Sequence, residues 1–441
     1  MSIEYNEEQK NVIKTFIRFL RDPTEKYMII QGNAGSGKTT MIKGLVNAVA
    51  KQYKLLKLVL CEDPEKNDFD LVLTATTNKA VAVLRELSGN PEVATIHSTL
   101  KLSLQKNFST GREALVKTLS WKPLYDTVLI VDEASMLDES ACKHLDDTLK
   151  GKSKAIFVGD VFQLAPVKST ESMMQGMLHK VPTAIMGKVM RHRGAILETA
   201  SAFRDVVKTS YFEDIVLSED VIHVDGINFK KEVDKTFLDK SYAPHKAKIL
   251  AWSNNRVQEY NNYLRKAKGL NELFSVGETV ITNNPIIGKK QTIPVDSEVV
   301  IIELEKEISL HGVLGRYAHM NNSIRGFLPN KYVDAKNLLK LIAKKAKSKE
   351  LKDSPEKRKK LWRTYFEIKE TWLDLRSSFA STVHKAQGST YNKVFIDLYD
   401  IGRCNRPSDV ARMLYVSLSR ARDKVILTGE LPAKYRSSAA A

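Results

Sequence analysis

The chain has 441 residues, 43% of them hydrophobic, with 69 Lys or Arg against 52 Asp or Glu and a formal charge of +17. This length exceeds one ordinary domain and fits two to four. The positive surplus favours a polyanionic partner, nucleic acid first, over a small neutral substrate, although charge alone does not reject a merely soluble basic protein. Cys61, Cys142 and Cys404 lie far apart. They offer neither a disulfide framework nor metal-ligand spacing, which suits a reducing cytosol. No apolar leader and no bilayer-long apolar run is read, so no membrane partner is expected.

In chain order, the apolar run Tyr27-Met28-Ile29-Ile30 predicts a buried strand. It runs into Gly32-Asn33-Ala34-Gly35-Ser36-Gly37-Lys38-Thr39-Thr40, which satisfies G-x-x-x-x-G-K-[ST] and leads into a helical stretch. Strand, loop and helix together are the setting a phosphate-binding loop requires. Its glycines allow tight wrapping with backbone N–H groups turned to phosphate oxygens, and the helix N-terminus adds positive charge. Lys38 is the candidate for the β and γ phosphates of ATP, and the Thr39 hydroxyl for Mg²⁺.

Leu71–Thr74, Val128–Val131 and Ala155–Val158 predict further buried parallel strands with helices between them. The third strand ends in Asp132-Glu133. Asp132 is placed to hold Mg²⁺ directly or through water, and Glu133 to polarise an attacking water. The fourth ends in a turn carrying Gln163, whose donor and acceptor can meet a γ phosphate and a neighbouring loop together. A second α/β region starts near Lys188, with strands at Ile249–Trp252, Val394–Ile396 and Val425–Thr428. Between its halves, about 270–372, β-branched runs with Gly and Pro punctuation predict a small β-rich insertion, followed by a Lys-rich helical stretch from Ala335 to Glu370. There the runs Lys344–Lys349 and Lys357–Lys360 read as a solvated helix face, with direct DNA contact as the alternative, and Trp362, Tyr365, Phe366 and Trp372 as packing residues rather than base-stacking platforms.

With these motifs in place, the chain resembles the RecD-like, class B helicases of superfamily 1, nearly along its whole length. The matching segments are Tyr5–Gln9, Thr74–Ala80, Thr95–Leu100, Val189–Arg193, Ala251–Arg256, Ser381–Gly388 and Leu414–Arg422. The resemblance implies an α/β fold of two RecA-like parallel-sheet motor domains. The first spans 1–187 and carries a hairpin, or pin, at about 102–125. The second spans 188–269 and 373–441 and is interrupted by the β-rich, SH3-like insertion at 270–372. It implies an ATP-dependent DNA helicase moving 5′→3′, with ATP and Mg²⁺ as cofactors. Adenine contact falls to Gln9, and nucleotide contact also to Gln387 and Gly388. Arg191 and Arg420 are the candidates for γ-phosphate contact from the second domain. His192 stands where relatives often carry Gln, leaving Arg193 as the competitor of Arg191. Thr390 stands where many relatives carry a ribose-contacting Glu.

Thr76, Asn78, Thr95, His97, Asn254, Thr382 and His384 are the candidates for gripping single-stranded DNA. Thr76, Asn78 and Thr95 are equally read as helix caps. Phe108 is the candidate for the pin, where a surface loop is the competing reading. Single-stranded and forked duplex DNA are the implied partners, with single-strand-binding, replication or recombination proteins beside them, and a monomer in bacterial or phage-infected cytosol is expected. A translocase that mainly displaces bound proteins, and a nucleotide kinase sharing the phosphate loop, are the alternatives.

Overall fold

The structure is a computed structural model that describes residues 5–47, 70–165, 172–189, 194–287, 292–321, 323–351 and 354–436. Helix α1 (Glu7–Arg21) opens the described chain with a capping box, Asn6 accepting from the Gln9 backbone and Gln9 reaching back to the Asn6 backbone. The box satisfies two otherwise unpaired N–H groups of the first turn.

The first sheet contains β1 (Tyr27–Gly32), β2 (Asp70–Ala75), β3 (Ala94–Thr95), β6 (Thr127–Asp132), β7 (Lys154–Gly159) and β8 (Thr183–Met186). Its spatial order is β8-β1-β7-β6-β2-β3, every pair parallel. Both faces are covered, so β6 and β7 are buried at every position. Parallel strands read as continuous apolar runs for this reason. Helix α2 begins at residue 38, and α3 (Asn78–Ser88) follows β2 under a Thr77 cap. The hairpin β4 (Leu102–Asn107) and β5 (Arg112–Lys117) projects from this lobe in simple antiparallel register, Leu102 facing Lys117 and Asn107 facing Arg112.

The second parallel sheet contains β9 (Val221–Val224), β10 (Ala247–Ala251), β17 (Ala380–Thr382), β18 (Tyr391–Asp397) and β19 (Ala421–Thr428), in the order β9-β19-β18-β10-β17. Helices α4 (Gly194–Thr209) and α8 (Pro407–Ser419) pack on it through Ile196, Ala200 and Phe203 against a core containing Val410, Leu414 and Val425. Helix α5 (Asn254–Ala267) covers the other face with Val257 and Leu264. These two parallel sheets make the fold that of paired RecA-like domains.

Between β10 and β17 the chain builds an antiparallel sheet from β11 (Thr279–Thr282), β12 (Glu298–Leu304), β13 (Ile308–Leu310), β14 (Val313–Met320), β15 (Arg325–Pro329) and β16 (Leu375–Arg376). Two helices follow β15, α6 (Tyr332–Ala346) and α7 (Pro355–Thr371), and pack on each other through Ala346, Trp362 and Phe366. Among the described residues no helix is long and apolar enough to cross a membrane.

Candidate nucleotide and nucleic-acid sites

The carboxyl ends of β1, β6, β7 and β2 lie side by side, and their loops carry the chemistry-bearing residues of the first lobe. Open parallel sheets place ligands at that edge. After β1, Gly35 and Gly37 have φ of +81° and +83°, which an L side chain rarely adopts. At Gly32 any Cβ would come within 2.6 Å of the Lys38 side chain. Lys38 is folded into the loop, its ammonium donating to the carbonyls of Gly32 at 2.8 Å and Asn33 at 3.0 Å. Asn33 is tied to the Gly187 carbonyl at 2.8 Å. The Ser36 hydroxyl is buried without a partner. Gln9 stands over the same loop, its amide nitrogen 3.8 Å from the place a Cβ on Gly37 would take.

Asp132 is buried and accepts from the Thr39 hydroxyl at 3.2 Å and from the Glu133 backbone at 2.9 Å. Burial, reinforced by the neighbouring Glu133, raises its carboxyl to about 7. Glu133 takes a left-handed backbone, φ +52°, and its Oε2 is buried without a hydrogen-bond partner. A strained backbone and an orphaned carboxylate oxygen beside a raised carboxyl mark a site short of positive charge. Thr39 and Asp132 are oxygen donors of the kind Mg²⁺ takes, so the residues fit that ion. Thr76, after β2, donates its hydroxyl to the Glu133 carbonyl at 2.9 Å, so the two neighbouring loops are joined.

At the end of β7, Asp160 is fully buried. It accepts from the Tyr415 hydroxyl at 2.6 Å and the Phe162 backbone at 3.1 Å, with longer contacts from Gln31 and Gln163. Tyr415 belongs to α8 of the second lobe, and its oxygen also accepts from the Ala34 backbone at 2.8 Å. One hydroxyl therefore ties the phosphate loop, the end of β7 and the opposite lobe together. Gln163 meets Gln387 of the second lobe at 3.1 Å. Arg412, also on α8, donates to the carbonyls of Val161 and Gln163 and to the Gln175 side chain. Arg420 is 2% exposed and is held at the end of α8 by the Ser419 hydroxyl at 2.8 Å and the carbonyls of Val416 and Ser389 at 3.2 Å each. Burial lowers its pKa, and Glu133, Tyr415 and Asp160 oppose that shift. Gly388 follows Gln387 with φ +78°. Arg191, with its competitor Arg193, lies outside the described residues.

A cleft joins both lobes to the insertion. It is lined by Lys79, Asn254, Asn283, Arg376, Thr382 and Lys385, among others. Lys79, from the first lobe, donates across the seam to the Lys385 carbonyl at 3.2 Å and the Ser389 hydroxyl at 3.3 Å. Lys385 reaches the insertion through Asp296 at 3.2 Å. Arg376 donates to Asn254 at 3.1 Å. Of the strand-gripping candidates, Asn254 and Thr382 line this cleft. Asn78 and His97 are exposed on the first lobe, and His384 is half-buried on a one-turn helix after β17. The hydroxyls of Thr95 and Thr382 cap one-turn helices, accepting from Ser98 and Lys385. The capping reading of Thr95 holds, and Thr77 rather than Thr76 or Asn78 caps α3.

Phe108 sits at the tip of the β4–β5 hairpin, and its ring packs edge-on against Phe366 of α7 with centroids 5.8 Å apart. Lys106 pairs with Glu370, and Glu113 with Lys369 at 2.6 Å. At Gly111, φ +70°, a Cβ would stand 2.3 Å from the Trp362 ring. The hairpin of one lobe is thus braced by the helices of the other lobe's insertion, and Trp362 and Phe366 are packing residues.

Sequence reasoning assigned no role to Asp160, Tyr415, Arg412 or Lys79. Asp160 carried a signal, since it ends an apolar strand just as Asp132 does. Tyr415 lay within the matched segment Leu414–Arg422 without a role of its own, and Arg412 carried no signal, because a helical residue aimed at another lobe looks like one aimed at its own core.

Residues 4–215 match the family described as AAA domain, and residues 377–428 the UvrD-like helicase C-terminal domain. The ATP-dependent DNA helicase dda of Enterobacteria phage T4 is 25% identical over 95% of this chain and 98% of its own length. RecD subunits of RecBCD match a shorter part, that of Buchnera aphidicola at 32% identity over 32% of this chain and 23% of its own. Among solved structures, Pif1 helicase from Bacteroides in complex with ADP-AlF3 and ssDNA superposes with a TM-score of 0.52 at 16% identity, covering 98% of this chain and 94% of that one.

Proposed function

This chain is a superfamily 1 helicase of the RecD-like class, and on that premise we propose that it steps 5′→3′ along single-stranded DNA and parts duplex at a fork, driven by Mg-ATP hydrolysis at the seam between its lobes. The observation that carries the reading is the set of bridges across that seam: Tyr415 to Asp160 and Ala34, Gln387 to Gln163, and Arg412 to the loop after β7. A nucleotide held by Gly32–Thr40 lies against these bridges. Lys38 supplies positive charge to the β and γ phosphates, and Arg420 supplies it from the opposite lobe. Thr39 and Asp132 would hold Mg²⁺, which when bound would neutralise phosphate charge. The free oxygen of Glu133 orients the attacking water, and Gln163 and Gln387 report the state of the γ phosphate to the second lobe.

The strand runs over the carboxyl ends of both sheets, across Thr76, Asn78, Thr95 and His97 on one lobe and Asn254, Thr382 and His384 on the other. Hydroxyl and amide groups suit sequence-independent backbone contact. The Thr76 to Glu133 bond supports coupling, because the loop that meets DNA shares a hydrogen bond with the loop that positions water. Closure with a triphosphate bound and release after hydrolysis then alternate the grip of the lobes. The braced hairpin favours strand separation over simple displacement of bound proteins, since a wedge must resist the load of the duplex. A nucleotide kinase has no use for these bridges.

Partial duplexes with a 5′ or a 3′ single-stranded overhang provide the test. Unwinding of the 5′-tailed substrate alone, with ATP hydrolysis strongly stimulated by single strands, is expected. Hydrolysis indifferent to saturating oligonucleotide would refute the motor reading. Preference for the 3′ tail would reverse the direction.

A further inference from the structure

Helices α6 and α7 and the segment joining them, residues 332–371, hold thirteen Lys or Arg against six Asp or Glu, a surplus of seven within a chain whose total is +17. Two of the acids are already engaged near the cluster's edge, Glu370 by Lys106 and Glu356 by Lys359. Lys344, Lys345, Lys347, Lys349, Lys357 and Lys360 are all exposed. None of the six has an ion-pair partner among the described residues.

Their place matters more than their number. The end of α6 and the first half of α7 converge where Ala346, Trp362 and Phe366 pack together. That cluster is the one the hairpin tip rests on, through Gly111 against Trp362 and Phe108 against Phe366. Lys347 lies 6.0 Å from the Trp362 ring centre and Arg363 5.9 Å from that of Phe108. Lys347 and Arg363 therefore set this cationic surface beside the tip of the proposed strand-splitting wedge, and none of the six lysines lines the cleft of Asn254 and Thr382.

We propose that this face docks the unopened duplex ahead of the hairpin, gripping its phosphates without reading sequence. The inference rests on the helicase reading and extends it to the parental arm of the fork. The chemistry selects duplex over single strand. Single strands are held by pairing cations with aromatic platforms on which bases stack. Here Trp362 and Phe366 are buried and Tyr365 half-buried, so ammonium groups supply the outward chemistry. Duplex buries its own bases and presents about one charge per 1.7 Å of axis, the surface that bare ammonium groups fit. Lysine, a flexible point charge, suits a track that must slide.

The test replaces Lys344, Lys345, Lys357 and Lys360 with Gln, whose helix propensity matches that of Lys, so the helices are kept. Binding is measured against salt for a single-stranded oligonucleotide, the same oligonucleotide as a 5′ tail on a duplex, and a fork with both tails. The expected result is a salt slope on the tailed duplex reduced by about 2–4, close to 0.9 for each phosphate no longer neutralised, with single-strand binding and single-strand-stimulated hydrolysis unchanged. The same four positions as Arg retain the slope. Equal loss on single strand and tailed duplex, or no loss on the duplex, overturns the proposal. A loss confined to the two-tailed fork assigns the face to the displaced strand and overturns the duplex assignment. Lost binding of a polyglutamate peptide with DNA binding intact overturns it in favour of an acidic protein. Failure of single strands to stimulate hydrolysis in the unsubstituted protein strikes the helicase reading instead, and leaves the duplex comparison readable.

Discussion

Tyr415→Phe removes one oxygen and keeps the packing of a ring that is 3% exposed. Two bonds go with it, the donation to Asp160 at 2.6 Å and the acceptance from the Ala34 backbone at 2.8 Å. A hydrogen bond to a charged acceptor contributes about 1.5–3 kcal/mol, and a buried N–H left unpaired costs about 1–3 kcal/mol. Asp160 keeps the Phe162 backbone bond at 3.1 Å, which argues for a loss a little under the sum of those low ends, about 2 kcal/mol in all. That is a factor of about 30 in the equilibrium between joined and parted lobes. Lys38 and Thr39 are untouched, so nucleotide binding by the first lobe remains. Steady-state hydrolysis at saturating single-stranded DNA is the assay. A fall in kcat of about 10- to 30-fold is expected, with KM for ATP moving less than about threefold. A kcat equal to that of the unsubstituted protein, or a loss carried entirely by KM, would show that this hydroxyl does not join the lobes during turnover.

Lys38→Ala should cut hydrolysis at least about 100-fold, as loss of a transition-state donor does, while oligonucleotide binding followed by anisotropy stays within about threefold. Gly111→Val forces a side chain into the Trp362 ring and a left-handed backbone that costs about 1–2 kcal/mol. Unwinding of a forked duplex should fall while single-strand-stimulated hydrolysis persists; parallel loss of both would mean the hairpin is not a separate wedge. Asp132 gives a pH signature without metal: burial first and Glu133 second lift its carboxyl from 3.8 to about 7. The folded state then holds a proton that the unfolded chain has released, so this contribution to stability is complete at low pH and declines as pH rises through that window. Thermal melts without Mg²⁺ should show the decline relative to Asp132→Asn, and Mg²⁺ should restore more at pH 8 than at pH 5. A contribution that grows over the same window would contradict the assignment.

The parallel strands were legible because burial on both faces leaves an uninterrupted apolar word: Tyr27–Ile30, Val128–Val131 and Ala155–Val158 all became central strands. Edge strand β8, only Thr183–Met186, was not legible, since its burial alternates and a short alternating run resembles many turns. The Lys-rich stretch was readable as helical. Its break into α6 and α7, and the inward turn of Trp362 onto the hairpin, were not, because contacts between distant segments leave no local period. Within the candidate site, Lys38, Thr39, Asp132 and Glu133 announced themselves by position after strands. The partners that join the lobes did not. Tyr415 and Arg412 sit on α8 among residues nearly all buried, and their significance comes only from what stands opposite.

The topology of the second sheet bears on how the protein is made. Strand β19, near the end of the described chain, is interior to that sheet, pairing Val425 with Val221 on one side and with Val394 on the other. On the ribosome the first sheet has all its strands once Met186 has emerged, whereas β9 must wait with an open edge until nearly the whole polypeptide is out. A message cut short within α8 would therefore release a finished nucleotide-gripping half fused to a sheet missing an internal rung. Such a product invites pairing with other nascent chains rather than quiet loss of function.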